Sequence, residues 1–472
     1  MNKYKISFYP ALGIFFGTAL ILRLIYSFYL QQYFSGGFKF TTPDTASFIG
    51  AFQNLIDHGR YCFDLQIKDS CFYRLPTYSF FIGIQKYIIG SHYWISVAIL
   101  QSILDAASCC LALLIARSLG FSKIALVLIA AIFFLYPFTI FWVPVQVPEV
   151  VGVFLTLSTL WFLICIRNQY WASILTGLTL VLAVWTKQYI AALVPAMVFF
   201  VMARASLDRI VRMLVITALA FVCGYSPWVL RNIINYGEPA VLMGASTGVR
   251  AHMPDFNNAA MFVSLFYENP QSQLNNIVFN GKLDLPDSEF YRTNKDFIEN
   301  VAFDAFNCGP SFREWRGKTA SFSNEDCGER VAEGFRELTI RAKNQLSFWE
   351  YYRTGFEAFQ KGFFKINYLE RTGSQLVQSA LFAYRGFLIV LALLAIFMVN
   401  TRRQRMFVLG ANFYWFSTLL VLSFVYRHLE MRYLLMADAV MLICSGFAIS
   451  WVIERGFRFT FLKIKNAKSA AD

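Results

Sequence analysis

Apolar residues in this chain come in long blocks rather than in alternating or striped patterns. Ten such blocks stand out, at 10–30, 92–116, 121–136, 149–166, 171–186, 190–203, 213–230, 377–399, 407–425 and 434–453. A helix needs about 20 apolar residues to cross ~30 Å of hydrocarbon, and most of these blocks come near that length. The pattern predicts an all-α polytopic membrane protein with about ten transmembrane helices. Two stretches interrupt it. Residues 31–91 form a first outer loop too long for a connector, and residues 236–376 are too polar to span and too aromatic for a linker. Three regions follow: an N-terminal membrane block (1–235), an outer soluble region (236–376), and a closing membrane block with a basic tail (377–472).

Within the first loop, residues 44–58 place Phe48, Ala51, Phe52 and Leu55 on one helical face, and Gly59 stops the helix. Residues 76–90, containing Thr77-Tyr78-Ser79-Phe80-Phe81-Ile82, are too short for a span and read as a segment along the interface. In the outer region, Asp287-Ser288-Glu289 opens a helix through about Phe306. Ser323-Asn324-Glu325-Asp326 caps a longer helical run toward Phe364.

Charge orients these elements. The 472 residues include 42 Lys and Arg against 29 Asp and Glu, a net charge of +13. One alternation from an inside N-terminus puts Lys3 and Lys5, Arg117 and Lys123, Arg167, Arg204 to Arg212, Arg402 to Arg405 and the basic tail on the cytoplasmic side. The first block is preceded by lysines but exits through Tyr29-Leu30-Gln31-Gln32-Tyr33, so it reads as an uncleaved helix. Nothing in the charge pattern suggests a nucleic-acid partner.

Of nine cysteines, Cys62 with Cys71 and Cys308 with Cys327 form two close pairs in predicted outer segments. An oxidising compartment would join each as a disulfide; four unpaired thiols is the alternative. The others lie in apolar blocks and suit packing. No CxxC spacing points to zinc.

Candidate chemistry gathers on the outer side. Asp44, in Thr42-Pro43-Asp44-Thr45, is either a helix cap or a general base for a hydroxyl. Glu149 follows Pro148 at the start of an apolar block, where an acid marks a functional site or complements the helix dipole. Lys187, Arg231, Arg427 and Arg432 sit at outer turns, with Glu430 between the last two. Outer loops ordinarily avoid Lys and Arg, so these either snorkel to headgroups or bind an anionic group such as phosphate. Arg74-Leu75-Pro76 and Tyr78 lie where the first loop returns to the membrane. His252 and His428 are also outer residues and could join a carboxylate around a divalent metal ion; no other cofactor is indicated. Phosphate loops, GxSxG elbows and HExxH motifs are absent.

Pro43-Asp44, the segment Asn54-Leu55-Ile56-Asp57-His58-Gly59-Arg60-Tyr61, and Arg74-Leu75-Pro76-Thr77-Tyr78 resemble the first periplasmic loop of GT-C glycosyltransferases. The likeness is to bacterial members akin to protein O-mannosyltransferases and the lipid A aminoarabinose transferase. Pro148-Glu149, Thr186-Lys187, Pro227-Trp228-Val229-Leu230-Arg231-Asn232 and Glu430-Met431-Arg432-Tyr433 extend it through both membrane blocks. The resemblance implies a GT-C-like fold in a bacterial inner membrane, with the site facing the periplasm. It also implies an inverting transfer of sugar from a polyprenyl-phosphate donor to a lipid, glycan or protein hydroxyl. Asp44 would be the base and Glu149 would orient the acceptor or a cation. Lys187, Arg231, Arg427 and Arg432 would hold the donor phosphate, while Arg74, Tyr78 and Glu430 would shape the cleft. Many relatives carry two acids where this chain has Asp44-Thr45, and some a basic residue where it has Val150. Metal assistance and the roles of the acids therefore stay open. A transporter or flippase, or a polymerase or ligase of lipid-linked glycans, is the competing reading. The absence of an internal repeat and the collection of polar candidates at one face favour the transferase.

Overall fold

The computed structural model describes residues 5–34, 40–63, 65, 70–237, 256–267, 271–308, 325–364, 375–425 and 431–469. These are helices and their connections, with no strand among the described residues. Among the described residues, eight helices are long and apolar enough to cross a membrane, and two shorter apolar helices accompany them.

In the first membrane block, α1 (Lys5–Ile25) packs on α4 (Tyr93–Ser118). Between them come α2 (Pro43–His58) and α3 (Pro76–Ile89) of the first outer loop. Next are α5 (Lys123–Leu135), α6 (Glu149–Cys165), α7 (Gln169–Thr186), α8 (Leu193–Arg204) and α9 (Leu207–Tyr236). The outer region holds α10 (Phe256–Val263), α11 (Gln271–Asn280), α12 (Glu289–Cys308), α13 (Glu325–Gln345) and α14 (Phe348–Phe364). The closing block is α15 (Gln375–Leu394), α16 (Arg402–Leu420) and α17 (Leu435–Ser469). The last of these continues as helix through the basic tail.

Two elements differ from the sequence expectation. The interfacial segment is not separate from the following span: α3 joins α4 through a single tight turn at Gly90–His92. The expected long run to Phe364 breaks at Leu346-Ser347. There Ser347 N–H donates to Glu350 Oε2 (2.9 Å) and Glu350 N–H to Ser347 Oγ (3.3 Å). That reciprocal capping box starts α14 as a new helix.

The outer helices α10 to α13 bury a core of their own, including Phe262, Phe290, Phe335 and Leu338. The membrane helices share one continuous core, to which Ala358 of α14 belongs. Two buried ion pairs cross that core, and neither was anticipated from the sequence. Arg23 Nε meets Asp105 Oδ2 at 2.7 Å, and the remaining guanidinium nitrogens donate to Phe133 O (2.9 Å), Phe134 O (3.1 Å) and Cys109 Sγ (3.5 Å). Arg385 grips both oxygens of Asp438 at 2.9 and 3.0 Å. A charge in an apolar block was the available signal. The partner was hidden by separations of 82 and 53 residues.

Candidate active site

The site begins with how α2 starts. Pro43 opens the helix, and Thr42 is its N-cap residue, with Thr45 completing a capping box. Thr42 N–H donates to Thr45 Oγ1 (2.9 Å), and that hydroxyl lies 3.2 Å from Gln146 O as a donor. Capping is thus done by Thr42 and Thr45. Asp44 is spared that task and turns outward. Gly59, at φ 68°, takes the left-handed conformation that ends α2.

Asp44 meets two guanidinium groups. Its Oδ1 accepts from Arg74 Nη2 at 2.8 Å, and its Oδ2 lies 3.6 Å from Arg432 Nη2. Arg74 is itself fixed by Ser47 Oγ (2.7 Å) and by the Phe48 ring, 4.0 Å away. Burial pushes the Asp44 carboxyl upward, but Arg74, then Arg432 and Lys187, outweigh it and hold it below the usual carboxylate range. The Asp44 side chain remains 35% exposed.

Glu149 lies behind these groups and is fully buried. Its Oε1 is 3.4 Å from Lys187 Nζ and 3.6 Å from Arg432 Nε, and neither carboxylate oxygen accepts a hydrogen bond. Gly152, one turn further along α6, lets this helix approach α17. An added Cβ there would come 2.6 Å from Met436 Cε. Aromatic rings wall the cations: Tyr433 lies 5.0 Å from Lys187 and 5.4 Å from Arg432, and Trp142 5.4 Å from Arg432. Trp142 and Tyr189, whose ring lies 5.6 Å from Lys187 Nζ, were not singled out by the sequence analysis. An aromatic beside a turn carries no local signal that it will face a cation.

The structure therefore brings Asp44, Arg74, Glu149, Lys187 and Arg432 together. Among the described residues three basic side chains stand against two carboxylates, a formal excess of one positive charge. Arg231 makes no ion pair with this group. Its guanidinium instead ties the first loop to α9, donating to Tyr61 O (2.6 Å), Cys71 O (2.9 Å), Asn232 Oδ1 (2.7 Å) and Tyr236 Oη (3.3 Å). A disulfide between Cys62 and Cys71 closes the same loop. Arg231 lines an open cleft of about 800 Å³ with Tyr61, Phe80, Trp185, Trp228 and Tyr236. Trp185 lies two residues before Lys187, and Tyr61 Oη donates to Leu75 O beside Arg74 (3.3 Å), so the cleft adjoins the charged group. Tyr78 is completely buried, donating to Gln101 Oε1 (3.1 Å) beneath Phe48. It supports α2 rather than lining a cleft. Arg427, Glu430, His428 and His252 lie outside the described residues, as do the side chains of Cys308 and Cys327. Among the described residues no three His, Cys, Asp or Glu side chains group as metal ligands.

No protein-family model matches the chain, and no curated protein sequence does. Its structure is similar to that of the archaeal oligosaccharyltransferase AglB from Archaeoglobus fulgidus, solved with an inhibitory peptide and a dolichol-phosphate. The TM-score is 0.51 over 98% of this chain at 13% identity. This chain spans about half (52%) of that protein's length. The likeness is one of fold: the described residues share the helical membrane fold of that protein.

Proposed function

We propose that this protein is an inverting glycosyltransferase that moves a sugar from a polyprenyl-phosphate donor to a hydroxyl acceptor. The reaction would take place at the outer, periplasmic face of a bacterial inner membrane. The observation that carries this reading is the pairing of a half-open carboxylate, Asp44, with two cations backed by a fully buried one, Glu149. The acceptor oxygen attacks the anomeric carbon as the bond from that carbon to the phosphate oxygen breaks. The acceptor proton passes to Asp44, and the bonding electrons leave with the phosphate.

Charge balance supports the assignment. A sugar-linked polyprenyl phosphodiester carries one negative charge, which neutralises the net positive cluster. On transfer the phosphate gains a charge and Asp44 loses one by protonation, so the site stays balanced throughout. Lys187 and Arg432 oppose the charge growing on the phosphate, in surroundings where fixed cations act strongly. Glu149 touches no substrate in this scheme; it orients those two cations. Asp44 is a weak base because Arg74 and Arg432 hold it ionised. A weak base suffices, because the acceptor hydroxyl becomes strongly acidic only as its oxygen bonds to the sugar.

The acceptor is a lipid, a glycan or a protein, and the outer helices shape that choice. A labelled donor panel in membranes carrying the protein tests the reading. Transfer from polyprenyl-phosphate sugars but not from nucleotide sugars is expected. Label that crosses the bilayer without joining an acceptor would instead indicate a transporter.

A further inference from the structure

The buried Asp438 lies outside the charged cluster, on the helix that follows Arg432, and ties that helix to α15, α16 and the break after α5. Its Oδ2 accepts from Arg385 Nε (2.9 Å) and Tyr136 Oη (3.1 Å), and its Oδ1 from Arg385 Nη2 (3.0 Å) and Trp415 Nε1 (2.9 Å). Arg385 also donates to Gly362 O of α14 at 2.6 Å. Arg385 and Asp438 are 2% and 1% exposed, so the network is closed to solvent and to substrate.

Each partner leads somewhere specific. Asp438 stands in the first turn of α17, six residues after Arg432. Tyr136 stands at the break after α5, from which the chain runs through Trp142 to Glu149. Trp415 belongs to α16 and Gly362 to α14, the helix that leads out of the outer region. A buried ion pair is a costly way to gain stability, since apolar residues of similar volume often serve as well. What it adds is direction: four donors on one carboxylate fix the rotation and height of the elements that bear them.

We propose that the Asp438–Arg385 network is a positioning device that sets the register of α17 against α15, α16 and the break after α5, and through that register places Arg432 against Glu149 of α6. Its consequence for catalysis rests on the glycosyltransferase reading; its structural part does not. Asp438, Arg385, Tyr136 and Trp415 are positioning residues, with no contact to the reacting atoms. The bond to Gly362 extends the network to the outer region, so acceptor binding there has a mechanical route to the cations.

Two readouts on the full-length protein in nanodiscs test this. The first is the rate of oxidative cross-linking in a Gly152→Cys/Met436→Cys pair, which reports the close approach of α6 and α17 without any substrate. Adding Asp438→Asn should slow cross-linking about tenfold. Tyr136→Phe, which deletes one hydrogen bond and little else, should slow it severalfold and guards against an Asp438 variant that does not fold. The second readout is turnover in otherwise wild-type protein. Tyr136→Phe should lower kcat about tenfold with little change in KM, and should cost at most about twofold when Arg432 is already Lys. Unchanged cross-linking in folded Asp438→Asn and Tyr136→Phe proteins would overturn the proposal. So would full additivity of Tyr136→Phe with Arg432→Lys. Altered cross-linking in a protein that transfers no sugar would support the positioning role and contradict the glycosyltransferase reading instead.

Discussion

Two regions of the membrane core handle charge in opposite ways. At Arg23–Asp105 every guanidinium nitrogen is bonded: the ion pair measures 2.7 Å, and backbone carbonyls and a sulfur take the other nitrogens. Behind Asp44, Glu149 holds Lys187 and Arg432 only at 3.4 and 3.6 Å, without a hydrogen bond to either oxygen. Both regions bury ionised groups, at similar desolvation cost. The first has spent its hydrogen-bonding capacity on holding helices together. The second sets Glu149 against two cations without a hydrogen bond, with the half-open Asp44 carboxylate in front of it. Saturated pairs build the scaffold; the looser cluster is the one the proposed reaction uses.

That contrast can be broken by mutation. Asp105→Ala should cost about 3–5 kcal/mol of stability by leaving Arg23 buried and unpaired. The fraction that folds should keep its turnover, and thermal unfolding alongside specific activity checks both. Lys187→Gln or Arg432→Gln should do the reverse. Transfer should fall about 10²–10³-fold, equivalent to about 2.7–4 kcal/mol of transition-state stabilisation. The melting temperature should move far less than in Asp105→Ala. A collapse of the fold in both variants would erase the distinction between the two regions.

Smaller effects sharpen it. Replacing Cys62 and Cys71 by Ser opens a short loop clamped by Arg231, and should cost about 2–3 kcal/mol by denaturant titration. Arg74→Gln should act mainly through pH. With its proton affinity depressed in the folded protein, Asp44 contributes stability that is present above its unfolded pKa and lost as pH falls through the folded one. Its ionised form, needed as base, therefore persists throughout pH 5–8. Removing Arg74 should move the acidic limb of the rate profile to higher pH, and an unmoved limb would remove Asp44 as its origin.

Much of this architecture could be read along the chain. The spans are long apolar blocks, and α2 announces itself through Pro43, its apolar face and Gly59. Asp44, Glu149, Lys187 and Arg432 stood out because charge at an outer turn is unusual. What the sequence concealed were partners. Nothing local tells whether Arg231 faces a phosphate or the carbonyls of Tyr61 and Cys71. The cap at Asp44 could be reassigned only once Thr42 and Thr45 were seen to bond each other. Arg385 and Asp438 became a network through Tyr136, Trp415 and Gly362, residues drawn from three other stretches of chain.

Asp44 as the group that takes the acceptor's proton is tested by following label from a radiolabelled polyprenyl-phosphate sugar in membranes carrying wild-type or Asp44→Asn protein at equal expression. Transfer by the wild type, with a loss of about 10²–10⁴-fold in the variant, is the predicted result. Equal transfer by the two proteins would contradict it and move the search for the base away from Asp44.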